Sequence, residues 1–176
     1  MILGYCGMAW INASLQQTAG NAELNRLIKN YVPDTRQPAP SPRGLVGRIE
    51  IPRLHMSAVI FEGTEGPVLR QGVGHLRGSA MPGQNGNVVL AGHRDSFFRA
   101  LRNIQSGDVV EVTTLQGSRS YTIGTTRIIQ PTEVGVLAPT SVPTLTLVTC
   151  YPFYYVGNAP QRFIVRGTEQ RQIAQR

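Results

Sequence analysis

Three side chains in this sequence could together carry out acyl transfer. Cys150 closes the run Thr144-Leu145-Thr146-Leu147-Val148-Thr149-Cys150, whose residues alternate between two faces as a strand does. Tyr151 and Pro152 then lead the chain out of the sheet, so the thiol stands at a strand exit, a position that suits reactive groups. His93 follows the apolar run Asn87 to Ala91, which puts an imidazole at a strand exit as well. A cysteine nucleophile needs such a partner to take the thiol proton and return it to a leaving group. Acyl transfer also needs a donor aimed at the developing oxyanion. Arg162 comes 12 residues after Cys150, the length of one loop between neighbouring strands, so its guanidinium could reach the thiol.

A lone cysteine at a strand end is more often a small buried apolar residue, and any one of sixteen arginines is more often a surface charge. The order and spacing of the three groups distinguish them from that background. Around them, Asp95 is read either as orienting His93 or Arg94, or as capping a helical segment from Ser96. Thr149 and Tyr151 flank the nucleophile, and Tyr151 is a candidate substrate contact. His75 is a further candidate at the edge of a groove, with a structural hydrogen-bonding role as its alternative. The aromatic stretch Tyr151, Phe153, Tyr154 and Tyr155 would wall a peptide groove or pack the loop.

These residues need a scaffold of strands. The 176-residue chain suits one domain with a short appendage. It is 41% hydrophobic and 15% charged, which is enough to bury a core. Nineteen glycines and twelve prolines fit many short strands joined by tight turns. Strand patterns run from Val46 to Ile51, Met56 to Phe61, Asn87 to Ala91, Val109 to Leu115, Ser118 to Gln130, Leu145 to Cys150 and Arg162 to Arg166. Seven or eight strands closed into a barrel would leave no open edge. Short helices fit only at Glu65 to Gly72, Ser96 to Ile104 and Thr132 to Leu137, and βαβ repeats are not expected.

Ahead of this domain, residues 1 to 32 read as part of a membrane anchor followed by a stalk helix. Met1 to Leu15 is apolar but shorter than the roughly 20 residues of a full span, so the expectation is the outer half of an anchor. Leu24, Leu27, Ile28 and Tyr31 mark a helix over Thr18 to Tyr31. Pro33, Pro38, Pro40 and Pro42 make residues 33–43 a stiff linker, and the catalytic domain occupies 44–176.

The net charge of +7 comes from 17 Lys+Arg against 10 Asp+Glu. The arginines are scattered singly, so nucleic acid is not an expected partner, whereas an anionic membrane or cell wall would explain the charge. Two cysteines and three separated histidines give no zinc spacing, and no cofactor or metal is expected.

Three separated motifs, AGHRD at 91–95, TLTLVTC at 144–150 and the downstream Arg162 in APQRFIV, resemble those of the sortases, the membrane-anchored cysteine transpeptidases of bacterial surfaces. The stretches Gly72 to Leu101 and LTLVTCYPFYYVGNAPQRFIVRG look most like class D sortases and their Gram-negative relatives. The resemblance implies a mainly β fold, an eight-stranded sortase barrel with short helices preceded by an N-terminal helix. It implies Cys150 as nucleophile, His93 as general acid and base, Arg162 as oxyanion or substrate stabiliser, and Thr149, in the TLxTC pattern, as a substrate-contacting or positioning residue. It further implies cleavage of an LPxT-type sorting signal after threonine through a thioacyl enzyme and transfer to an amine of cell wall or pilin. The expected location is the membrane, single-pass anchored, with the domain on the outer side. Two alternatives stand beside it: a non-catalytic surface binding or assembly module on the same barrel, and an L,D-transpeptidase-like enzyme. The latter carries arginine two residues after its cysteine, where this chain has Pro152.

Overall fold

Strand-forming residues dominate from Leu45 onward. In the computed structural model, which describes residues 17–29, 44–155 and 157–170, they form eight strands. These are β1 (Leu45–Ile51), β2 (Met56–Glu62), β3 (Val73–His75), β4 (Asn87–Ala91), β5 (Val109–Thr114), β6 (Gly117–Ile129), β7 (Thr144–Tyr151) and β8 (Gln161–Glu169). They close into a barrel in the order β1-β2-β3-β4-β7-β8-β6-β5. Two-residue alternation fills the interior: Ile49 and Ile51, Ala58 and Ile60, Val88 and Leu90, Val110 and Val112, and Leu145 and Leu147 all belong to one buried cluster.

Two pairings are parallel, β2 with β3 and β4 with β7, and the rest are antiparallel. Parallel neighbours need a crossover. For β2 and β3 the crossover is the six-residue helix α2 (Gly66–Gln71), so one β-α-β unit is present although the sequence reading expected no such repeats. Gly72, which ends α2, has no room for a side chain: a Cβ there would lie 2.5 Å from the Val59 carbonyl oxygen.

The expected helix at Ser96 to Ile104 is instead a run of turns ending in a 3-10 turn, Arg99–Asn103. Phe98 and Leu101 of this segment are fully buried in the core, so packing rather than capping fixes it. The turn begins after Phe98, so Asp95 does not cap it. A second 3-10 turn, Val134–Leu137, stands where Thr132 to Leu137 was expected.

A helix over residues 17–29, here α1, lies against β2. Leu24 is fully buried with Leu45 and Val59, and Leu27 packs beside them, whereas Ile28 is exposed. The side-chain amide of Gln17 accepts from the Val59 N–H at 2.7 Å and donates to the Gln71 carbonyl. One side chain thereby ties α1 to backbone groups of both β2 and α2. The expected anchor segment with Cys6 and the proline linker lie outside the described residues. Among the described residues no helix is long and apolar enough to cross a membrane.

Candidate active site

The site is built where β4, β7 and β8 end or begin at one rim. β4 and β7 are parallel neighbours, with Leu90 opposite Leu147 and Ala91 opposite Val148, so their C-terminal ends emerge together. Beyond the last paired residues the contact continues. The Gly92 N–H donates to the Val148 carbonyl at 3.1 Å, and the Thr149 hydroxyl donates to the Gly92 carbonyl at 2.7 Å. His93 follows directly after Gly92, at the same rim as the end of β7.

From the other side, antiparallel pairing sets Arg162 directly opposite Cys150. Directly opposed residues of an antiparallel pair have Cα atoms about 4.5–5.5 Å apart. Cys150 of β7 and Arg162 of β8 therefore share one rim, where His93 follows two residues past the end of the neighbouring β4. Each is partly exposed, so each is open to a ligand while its strand is held in the sheet. Cys150 is a free thiol. The Arg162 guanidinium donates through Nη1 to the carbonyls of Ala159 (3.1 Å) and Gln161 (2.9 Å), leaving Nε and Nη2 without an acceptor among the described residues.

Cross-strand partners share a face. The partly exposed Ala91, Val148, Cys150 and Arg162 and the buried Ile164 thus lie on the outer face of the barrel, with Ala91 and Val148 as a floor beside Cys150. The segment joining β6 to β7 is fastened over the far end of this face. Asn87 Nδ2 donates to the carbonyls of Val136 and Ala138, both at 3.1 Å, and Arg166 donates to the same Val136 carbonyl. The Thr146 hydroxyl donates to Asn87 Oδ1 at 2.7 Å, fixing the amide's orientation.

The other residues singled out in the sequence fall in different surroundings. Thr149 is buried, with its hydroxyl committed to Gly92. Tyr151 is partly exposed and packs among aromatic rings, stacked on Phe163 at 6.2 Å and edge-on to Phe153 at 6.0 Å. His75 is enclosed: its Nδ1 donates to the Glu62 carboxylate at 2.8 Å, and Nε2 lies 3.0 Å from both the Ala80 carbonyl and the Ser79 hydroxyl. Neither ring nitrogen is left for a ligand. Asp95 is exposed, with no hydrogen bond or ion pair among the described residues, and so orients neither His93 nor Arg94. Among those residues no group of three or more His, Cys, Asp or Glu side chains could hold a metal ion.

Asn87, Arg94 and Arg166 were not singled out as site residues in the sequence. Asn87 had a visible signal, an amide opening an apolar strand that must find partners when buried. The two arginines had none, since their acceptors are backbone carbonyls far along the chain.

Comparison with known proteins gives one family. The Sortase domain model matches residues 49–170. Sortase D of Bacillus subtilis (strain 168) is 35% identical over 156 residues, covering 86% of this chain and 75% of that protein. Sortase A of Listeria monocytogenes is 34% identical over 110 residues, 60% of this chain and 49% of that one. Among solved structures, a Clostridium perfringens sortase D5 transpeptidase superposes with a TM-score of 0.76 at 27% identity, over 88% of this chain and 98% of its own. With the barrel, the rim and these matches in hand, the chain belongs to the sortase family, whose members are cysteine transpeptidases of the bacterial cell surface.

Proposed function

We propose that this protein cleaves an LPxT-type sorting signal after its threonine and joins the new carboxyl end to an amine, with Cys150, His93 and Arg162 as the working groups. The observation that supports the reading is the register that sets Arg162 opposite Cys150, with β4, whose end leads into His93, paired alongside β7. The Cys150 sulfur attacks the threonine carbonyl as its proton passes to the His93 imidazole, forming a C–S bond and an oxyanion. The free Nε and Nη2 donors of Arg162 stabilise that oxyanion. Collapse breaks the C–N bond, and His93 returns the proton to the departing amine, leaving a thioester. An incoming amine reverses the sequence: His93 takes its proton, the amide forms, and the thiol is restored.

The floor of Ala91 and Val148 suits an extended peptide with small side chains. Thr149 serves as a positioning group that holds the strand end carrying Cys150 against the one carrying His93. The amine comes from cell wall or a pilin subunit, and the substrate is a surface protein bearing the signal. Residues 1–32 act as anchor and stalk and 33–43 as spacer, which hold the domain of 44–176 on the outer side of the membrane.

The test is mass spectrometry of the full chain mixed with LPxTG and LPxTA peptides, with and without a simple amine. Cleavage after threonine, an amine-dependent ligated product, and loss of both in Cys150→Ala are expected. Intact peptides in the presence of a thiol that still alkylates would overturn the substrate class.

A further inference from the structure

We propose that Arg94 is a positioning residue: it pins the β7–β8 loop to the strand exit that carries His93 and, through that loop, sets the guanidinium of Arg162 beside Cys150. This rests on the role given to Arg162 above.

Arg94 directly follows His93. Its Nη2 donates to the carbonyls of Tyr155 at 2.7 Å and Gly157 at 3.0 Å, and its guanidinium carbon lies 5.8 Å from the centre of the Tyr155 ring. A few residues on, Arg102 of the 3-10 turn sits 5.7 Å from the ring of Tyr154. Two cations of one segment thus hold two consecutive tyrosines of the loop, one of which, Tyr154, is 78% exposed and has little other packing.

The loop has few means of holding its own shape. Pro152 and Pro160 lack an N–H, Gly157 sits at φ +99°, and the one internal backbone hydrogen bond among the loop's described residues runs from the Tyr155 N–H to the Pro152 carbonyl at 3.4 Å. At its far end the carbonyls of Ala159 and Gln161 receive Nη1 of Arg162. A chain of contacts therefore runs from Arg94 through Tyr155 and Gly157 to Ala159, Gln161 and the Arg162 fork.

The chemistry of Arg94 fits this purpose better than a surface ion pair does. No carboxylate among the described residues pairs with it, although Asp95 is adjacent. Its Nη1 is buried without a partner, a cost that a side chain placed only for folding would avoid. A planar fork that reaches two carbonyls at once is something lysine cannot reproduce.

The experiment compares Arg94→Ala, Arg94→Lys, Arg162→Ala and the double alanine variant in the full chain, using the peptide cleaved above. Arg94→Ala is expected to lower kcat by about 10²-fold, the scale of an ångström-level misplacement, with KM changed less than about threefold. Amides of 153–159 should exchange with deuterium faster, Arg94→Lys should recover part of the rate, and the double variant should be no slower than Arg162→Ala alone. Unchanged loop exchange in Arg94→Ala, or two rate losses that multiply in the double variant, would overturn the proposal. Failure of the underlying site reading shows separately, as wild-type kcat in Arg162→Ala.

Discussion

The hydroxyl of Thr149 fixes the relation between the strand end that carries Cys150 and the one that carries His93. It is buried and donates to the carbonyl of Gly92, the residue just before His93. Thr149→Val keeps the shape but leaves that carbonyl without its donor, at a cost of about 1–3 kcal/mol. Thermal unfolding and peptide cleavage should therefore both fall in the valine variant and largely recover in Thr149→Ser. A valine variant as stable and as fast as wild type would show the bond to be incidental. At this scale the sequence offered Cys150, His93 and Arg162 as candidates because they sit in recognisable local patterns. Their supports were hidden. Arg94 finds Tyr155 and Gly157 some sixty positions later, and a carbonyl acceptor leaves no mark on residue type. Of the two readings of His75, groove edge or structural hydrogen bonding, the second holds: it is a buried brace between Glu62 and Ala80.

Between elements, the same limits have physical causes. Long alternating strands such as β6 and β7 were legible because two-residue periodicity persists over many residues. β3, with three residues, is too short to show a period, and the parallel β2–β3 pairing went unseen with it. Ser96 to Ile104 was open to a short helix, yet burying Phe98 and Leu101 together favours tight turns over a regular helix. One inter-element tie makes a measurable pH prediction. Arg53, in the 3-10 turn Pro52–Leu54, donates through Nη2 to Asp108 at 2.7 Å and through Nε to the same carboxylate, and the Gln105 N–H adds a bond at 2.8 Å. The Arg53 hydrogen bonds chiefly, with Gln105 helping and burial opposing, hold the Asp108 carboxyl below the usual range. A carboxyl whose folded pKa lies below its unfolded value, near 3.9, contributes stability that is present above about pH 4 and lost as pH falls below it. Asp108→Asn should therefore cost about 1–2 kcal/mol in urea unfolding at neutral pH, and the gap from wild type should narrow at about pH 3. A gap independent of pH would mean that the charge contributes nothing there.

For the molecule as a whole, closure of the barrel turns separate strands into one rigid frame. β4, β7 and β8 are consecutive around the closed sheet, so the rim residues cannot move apart without breaking ladders on both sides. α1 is seated against β2, with Leu24 buried and Gln17 tied to Val59. The fold class followed from glycine, proline and strand content together with the family motifs. The placement of α1 on the barrel did not, because an amphipathic stripe specifies burial without specifying what buries it. The central claim is that acyl transfer passes through a thioester on Cys150. The most direct measurement is the intact mass of the full chain mixed with an LPxT peptide without amine and quenched in acid. The account predicts an adduct equal to the peptide portion ending in threonine, located on Cys150, absent from Cys150→Ala and discharged by added amine. Peptide cleavage with no adduct on Cys150, or an equal adduct in the alanine variant, would contradict it.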